Sequence, residues 1–169
     1  MQENNTMTLR QIVLFFGGAL AMTPTASLAQ TPATTAENER IITEAFETWQ
    51  QGTYVFGDIL SDNIVWTIHG TGPVAGVYTD FDAFIEEASR PVTSRLTAPL
   101  LPEVHHIWAD GDQVIVRWDG SAPTTGGGIY ENQFLWIMTM QDGLVTHAEA
   151  FLDLRAYDAL VDNNEPRSE

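Results

Sequence analysis

The sequence predicts a single α+β domain, and three observations carry that prediction. Helical periodicity is confined to the front of the chain. From residue 101 to 152, β-rich runs alternate with turn signals. Removing a secretory signal from the 169 residues leaves 140, which is one ordinary domain. Helices gathered ahead of antiparallel strands imply layered α+β packing, a curved sheet enclosing a cone.

The elements follow in order. Arg10, the apolar run Ile12–Met22 and the small-x-small site Ser27-Leu28-Ala29 form a signal peptide over 1–29, cleaved near Ala29-Gln30. Its apolar core is shorter than the roughly 20 residues a membrane span needs, so no stable membrane anchor is expected after cleavage. Residues 30–38 (QTPATTAEN) read as a polar, flexible linker, and the domain proper as 39–161. Ile42, Ala45, Phe46 and Trp49 fall at i, i+3, i+4, i+7, one apolar helical stripe ended by Gly52. Tyr54–Leu60 reads as a short helix or turn and Asn63–His69 as a strand broken by Gly70-Thr71-Gly72-Pro73. Asp80 is a natural N-cap for a helix carrying Phe81, Phe84, Ile85 and Ala88 on one face, with Pro91 just past its end. Strands are expected at Leu101–Ala109, Gln113–Asp119, Ile129–Met140 and Leu144–Leu152. Gly120–Gly128 is expected as a flexible loop and Gln141-Asp142-Gly143 as a tight hairpin. A closing helical turn over Asp153–Val161 and a loose tail over 162–169 complete the chain.

Composition narrows the function. The formal net charge is −16, with no Lys, which argues against nucleic acid and anionic membranes as partners. No Cys is present, so no disulfide or thiol contributes despite the expected export to the periplasm or exterior.

Four segments resemble the SnoaL-like branch of the NTF2-like, ketosteroid-isomerase-like superfamily. They are Asp62–Gly70, Pro73–Tyr78, Glu103–Asp112, and the closing set Tyr130–Phe134, Gln141–Val145 and Phe151–Asp153. The resemblance implies a cone with an internal pocket. By analogy it turns Val65, Thr67 and His69 of the first strand inward, and Asn132, Phe134, Trp136 and Met138 of the long strand. Trp118 is expected inward on its own strand, and Trp49 and Tyr54 join the pocket from the helical layer. Members of this fold often pair through the outer sheet face, where Ile115, Leu135 and Ile137 suit a homodimer contact.

The chemistry is less defined. The resemblance places Thr67, about Glu44, and Trp136 where ketosteroid isomerases carry their base and oxyanion donors. Thr67 is no base near neutral pH, so that mechanism is not expected. The family's polyketide cyclases imply a His and an Asp on the last strands; here His147, Glu149 and Asp153 stand there, with His147 and Glu149 turned away by parity. The acid–base candidates are His69, at the pocket mouth, and Asp153, which serves equally as a helix cap. His105 and His106, as neighbours on a strand, are expected on opposite faces. The four histidines lack ligand spacing, so no metal is expected. No phosphate loop or nucleophile elbow indicates a cofactor or covalent chemistry. Two readings follow: a cofactor-free acid–base enzyme acting on a small, mostly apolar molecule, or a non-catalytic binding or dimeric accessory module.

Overall fold

The structure, a computed structural model, describes residues 32–168. The expected signal, 1–29, lies outside the described residues. Helix α1 runs over Pro32–Gln50. The residues expected as linker from 32 to 38 are therefore helical. They are docked: Asn38 Nδ2 donates to Gly111 O (3.0 Å), and Gly111 N donates to Thr35 Oγ1 (2.9 Å). Two polar side chains thus satisfy the backbone of a distant turn, which composition alone does not reveal. Three residues of the predicted stripe are buried, with Ile42 at 0 % and Phe46 at 2 % exposure beside Ala45, and Trp49 is half-buried against them. Burial of that kind stabilises by about 1.5–3 kcal/mol per large side chain. Gly52 ends the helix at φ 89°, a left-handed conformation that a Cβ would disfavour.

A short helix, α2 (Phe56–Ile59), leads into strands β1 (Leu60–Ile68) and β2 (Gly76–Tyr78). Asp80 caps α3 (Phe81–Phe84) by accepting from Ala83 N at 2.7 Å. This helix does not stop before Pro91. It continues through a π-helical turn (Ile85–Ser89) into α4 (Arg90–Thr93). Pro91 has no N–H for the carbonyl four residues back, and the widened turn, with Arg90 N on Ile85 O, accommodates it.

Strands β3 (Leu101–Asp110), β4 (Gln113–Pro123), β5 (Ile129–Gln141) and β6 (Leu144–Leu152) follow, then α5 (Leu154–Asn163). The expected loop 120–128 is shorter than predicted, because β4 stays paired with β5 as far as Pro123. The sheet order is β2-β1-β6-β5-β4-β3, antiparallel except for the β1–β6 pair. The β5–β6 hairpin turns on Asp142 (φ 52°) and Gly143 (φ 81°), the two positive dihedrals of a type I′ turn. Irregular registers in β1, in β3 and between β5 and β6 bend the strands, and the concave face closes over the helices. The tail expected to be loose is held: Arg167 N donates to Ser94 O (2.8 Å) and Thr125 Oγ1 to Glu165 O (2.7 Å).

Candidate functional site

Between the concave sheet and the helices lies a cavity of about 300 Å³, framed by aromatic rings. Trp118 and Phe134 stack at 3.9 Å, and Trp66 and Phe84 at 4.1 Å. Trp49 lies near-parallel to Trp136 at 5.9 Å. Small residues, Ala88 from the helical layer and Ala150 from β6, leave the space these rings frame. Gly120 permits the arrangement: a Cβ there would meet Trp118 Cζ3 at 2.9 Å and Leu100 Cδ1 at 3.0 Å. Tyr54 lines the cavity yet is 58 % exposed, so it marks the opening.

None of the lining residues is Asp, Glu, His, Lys or Arg. The polar groups are hydroxyls and indole N–H groups. Burial pushes the Tyr130 phenol up to about 12, so it is neutral and protonated near neutral pH. Burial likewise raises Tyr157, whose hydroxyl donates to Ala88 O (3.0 Å). The Nε1–H groups of Trp66 and Trp118 are shut from solvent and have no acceptor among the described residues, an uncommon and costly state for buried donors.

Of the residues expected at the site, Trp49, Tyr54, Trp118, Phe134 and Trp136 line the cavity. Asn132 and Met138 are buried on the same inward face without lining it. The first strand is reversed. Ile64, Trp66 and Ile68 are buried, whereas Val65, Thr67 and His69 lie on the outer face. A strand parity assigned by analogy is wrong for every residue once it slips by one, and the bulky apolar set takes the core. His69 bonds Glu149 (Nε2 to Oε2, 2.7 Å) and stacks on Phe151 at 4.6 Å. Asp153 caps α5, its Oδ1 accepting from Arg155 N (2.9 Å) and Ala156 N (3.2 Å). His105 and His106 do not point to opposite faces: the β3 register shifts between Val104 and His106. His105 pairs with Asp119 at 2.9 Å, His106 packs on Trp108 at 4.2 Å, and both histidines are exposed.

Sequence reasoning missed Tyr130, Trp66, Phe56, Phe84 and Tyr157 on the wall. Tyr130 was within reach, two residues before Asn132 on the inward parity of β5. Trp66 follows from reading Ile64-x-Trp66-x-Ile68 as the buried set.

A profile of the SnoaL-like domain matches residues 42–148. The chain belongs to the SnoaL-like family. No curated protein matches this SnoaL-like chain by sequence. Among solved structures it is similar to a Jannaschia sp. CCS1 protein assigned as a SnoaL-like polyketide cyclase, with TM-score 0.62 and 15 % identity over 80 % of this chain and 97 % of that one. It is also similar to an NTF2-like protein of Burkholderia thailandensis E264 (TM-score 0.59, 19 % identity, 73 % and 95 % coverage). A third is TerC, co-crystallised with polyporic acid (TM-score 0.58, 18 % identity, 75 % and 98 % coverage). At these identities the likeness concerns the fold, and it confirms the NTF2-like α+β cone expected from the sequence.

Proposed function

We propose that this SnoaL-like domain binds a small, mostly apolar aromatic molecule, and that it does so outside the cytoplasm. One observation carries the binding reading: a cavity of about 300 Å³, walled by aromatic rings, with no charged side chain on its lining. Concave, apolar sites with few polar groups are the usual form of small-molecule sites. A relative of the same fold was crystallised with polyporic acid, which supports a small-molecule role for the cone. The signal pattern over 1–29 supports the place of action.

Acid–base catalysis by His69 and Asp153 receives less support. His69 is engaged on the outer face with Glu149, and Asp153 is engaged in a helix cap. The binding-module reading is therefore preferred to the enzyme reading. Pairing through the outer sheet face belongs to the same proposal: Ile115, Leu135 and Ile137 lie there, half-buried, beside exposed Phe151. A purely monomeric sedimentation profile would remove that part.

The test of the pocket is a titration with the neutral fluorophore N-phenyl-1-naphthylamine. Saturable one-site enhancement is expected in the wild type. Ala150→Phe, which fills the cavity from β6, should abolish it while leaving a folded protein by circular dichroism. Undiminished binding in that variant would refute the cavity as the site.

A further inference from the structure

Within the cavity wall, one hydroxyl has its hydrogen-bond direction fixed by its neighbours. Asn132 is 4 % exposed and stands two residues from Tyr130 on the inward side of β5. Its Oδ1 accepts from Gln133 N (2.7 Å) and from Asp153 N (2.9 Å). Only a carbonyl oxygen can face two backbone N–H groups, so the amide cannot be flipped. Its Nδ2 then donates to Asp153 O (3.0 Å) and to the Tyr130 hydroxyl (2.8 Å). Both Nδ2 protons and both Oδ1 lone pairs are used.

The consequence falls on Tyr130. An amide NH2 has nothing to accept with, so the phenol oxygen accepts on that side. The single phenol proton must point elsewhere. Among the described residues, the bond accepted from Asn132 is the one hydrogen bond that the phenol makes. Tyr130 is 4 % exposed and lines the cavity, so the space left for the proton is the cavity. The contrast is Tyr157, which also lines the wall but gives its proton to Ala88 O.

We infer that Asn132 fixes Tyr130 as a hydrogen-bond donor into the cavity, which selects neutral, flat molecules bearing a carbonyl-type oxygen over the bare hydrocarbon. This rests on the binding role proposed above. Neutrality follows from the lining: a charge buried there would face no counter-charge, and unpaired burial of charge is strongly unfavourable. Tyr130 is the contacting residue and Asn132 the positioning residue.

Fluorene and fluorenone share one ring frame and differ at one carbonyl. Both are titrated into wild type, Tyr130→Phe and Asn132→Asp, followed by quenching of tryptophan fluorescence. Tyr130→Phe should weaken fluorenone about tenfold and leave fluorene within about twofold, the loss of one hydrogen bond. In Asn132→Asp a carboxylate oxygen faces the phenol and draws its proton away from the cavity. The same selective loss of fluorenone is expected there, although the tyrosine remains. A merely structural role would weaken both probes together, and that result overturns the inference, as does unchanged fluorenone affinity in Tyr130→Phe. Failure of both probes to bind wild type overturns the cavity reading itself and this inference with it. Tyr130→Phe removes a single oxygen, so the question stays decidable whether or not Asn132→Asp folds.

Discussion

The two faces of the one sheet keep different chemistry. The inward face carries stacked rings, phenols and one fully bonded amide. The outward face and its edges carry the imidazoles and the carboxylate and guanidinium groups: His69 with Glu149, His105 with Asp119, Arg117 on Asp119, and exposed His106 and His147. Period-two alternation makes this separation cheap, since each strand can turn its ionisable residues to water without giving up a core position. His69, just past the end of β1, is a half-exposed outer residue, and the cavity is walled by residues that otherwise read as plain core.

The sharpest way to break that contrast is to remove a ring. Trp118 is 1 % exposed, stacked on Phe134 and edge-on to Trp136 at 5.0 Å. Trp118→Ala should cost about 3–5 kcal/mol in urea unfolding, the range for large-to-small core substitutions. A loss under about 1 kcal/mol would mean that the inner wall is not core at all. Next comes pH. Tyr130 titrates near 12 because burial disfavours phenolate, against about 10 unfolded. The native state thus holds the proton more tightly. The stabilisation is complete below about pH 10 and is lost as pH rises through about 12, by at most about 2–3 kcal/mol. Wild type should lose thermal stability over that window more steeply than Tyr130→Phe, and equal slopes would reject the assignment. The outer face governs the opposite limb. Asp119 is held below its ordinary value chiefly by the hydrogen bond from Arg117, then by His105. Its contribution is present above about pH 4 and is lost as pH falls below that. Asp119→Asn should flatten the acid limb slightly, since the pair is partly exposed.

Much of the fold was legible. The Ile42–Trp49 stripe, the Asp80 cap and the Asp142-Gly143 turn each rest on local rules, and each forms as read. What failed depends on partners far along the chain. Parity groups Val65 with Thr67 and His69, but it does not say which group faces in; the volume of Trp66 decides that. The β3 irregularity that puts both His105 and His106 outside has no local signature. The helical start of α1 depends on a turn 73 residues away, through Asn38 and Gly111. Five pocket residues were legible as inward or helical-layer aromatics, whereas the Asn132 network was not, because its acceptor and donor come from the backbone of Asp153.

The smallest effects bear most directly on the division between faces. Asp153 sits beside the pocket network through its backbone, yet its side chain serves the first turn of α5. Asn caps about as well as Asp, so Asp153→Asn should be nearly neutral, while Asp153→Ala should cost about 1 kcal/mol. His69 and Glu149 form a half-exposed pair on the opposite face, and such pairs contribute about 0–1 kcal/mol. His69→Ala should therefore change stability by less than about 1 kcal/mol. Neither His69→Ala nor Asp153→Asn should shift fluorenone affinity measurably, because neither side chain lines the cavity. The two outcomes separate cleanly from those at Tyr130: a tenfold loss in His69→Ala would bring the outer face into the site, and the distinction between an inner binding wall and an outer solvated one would fall.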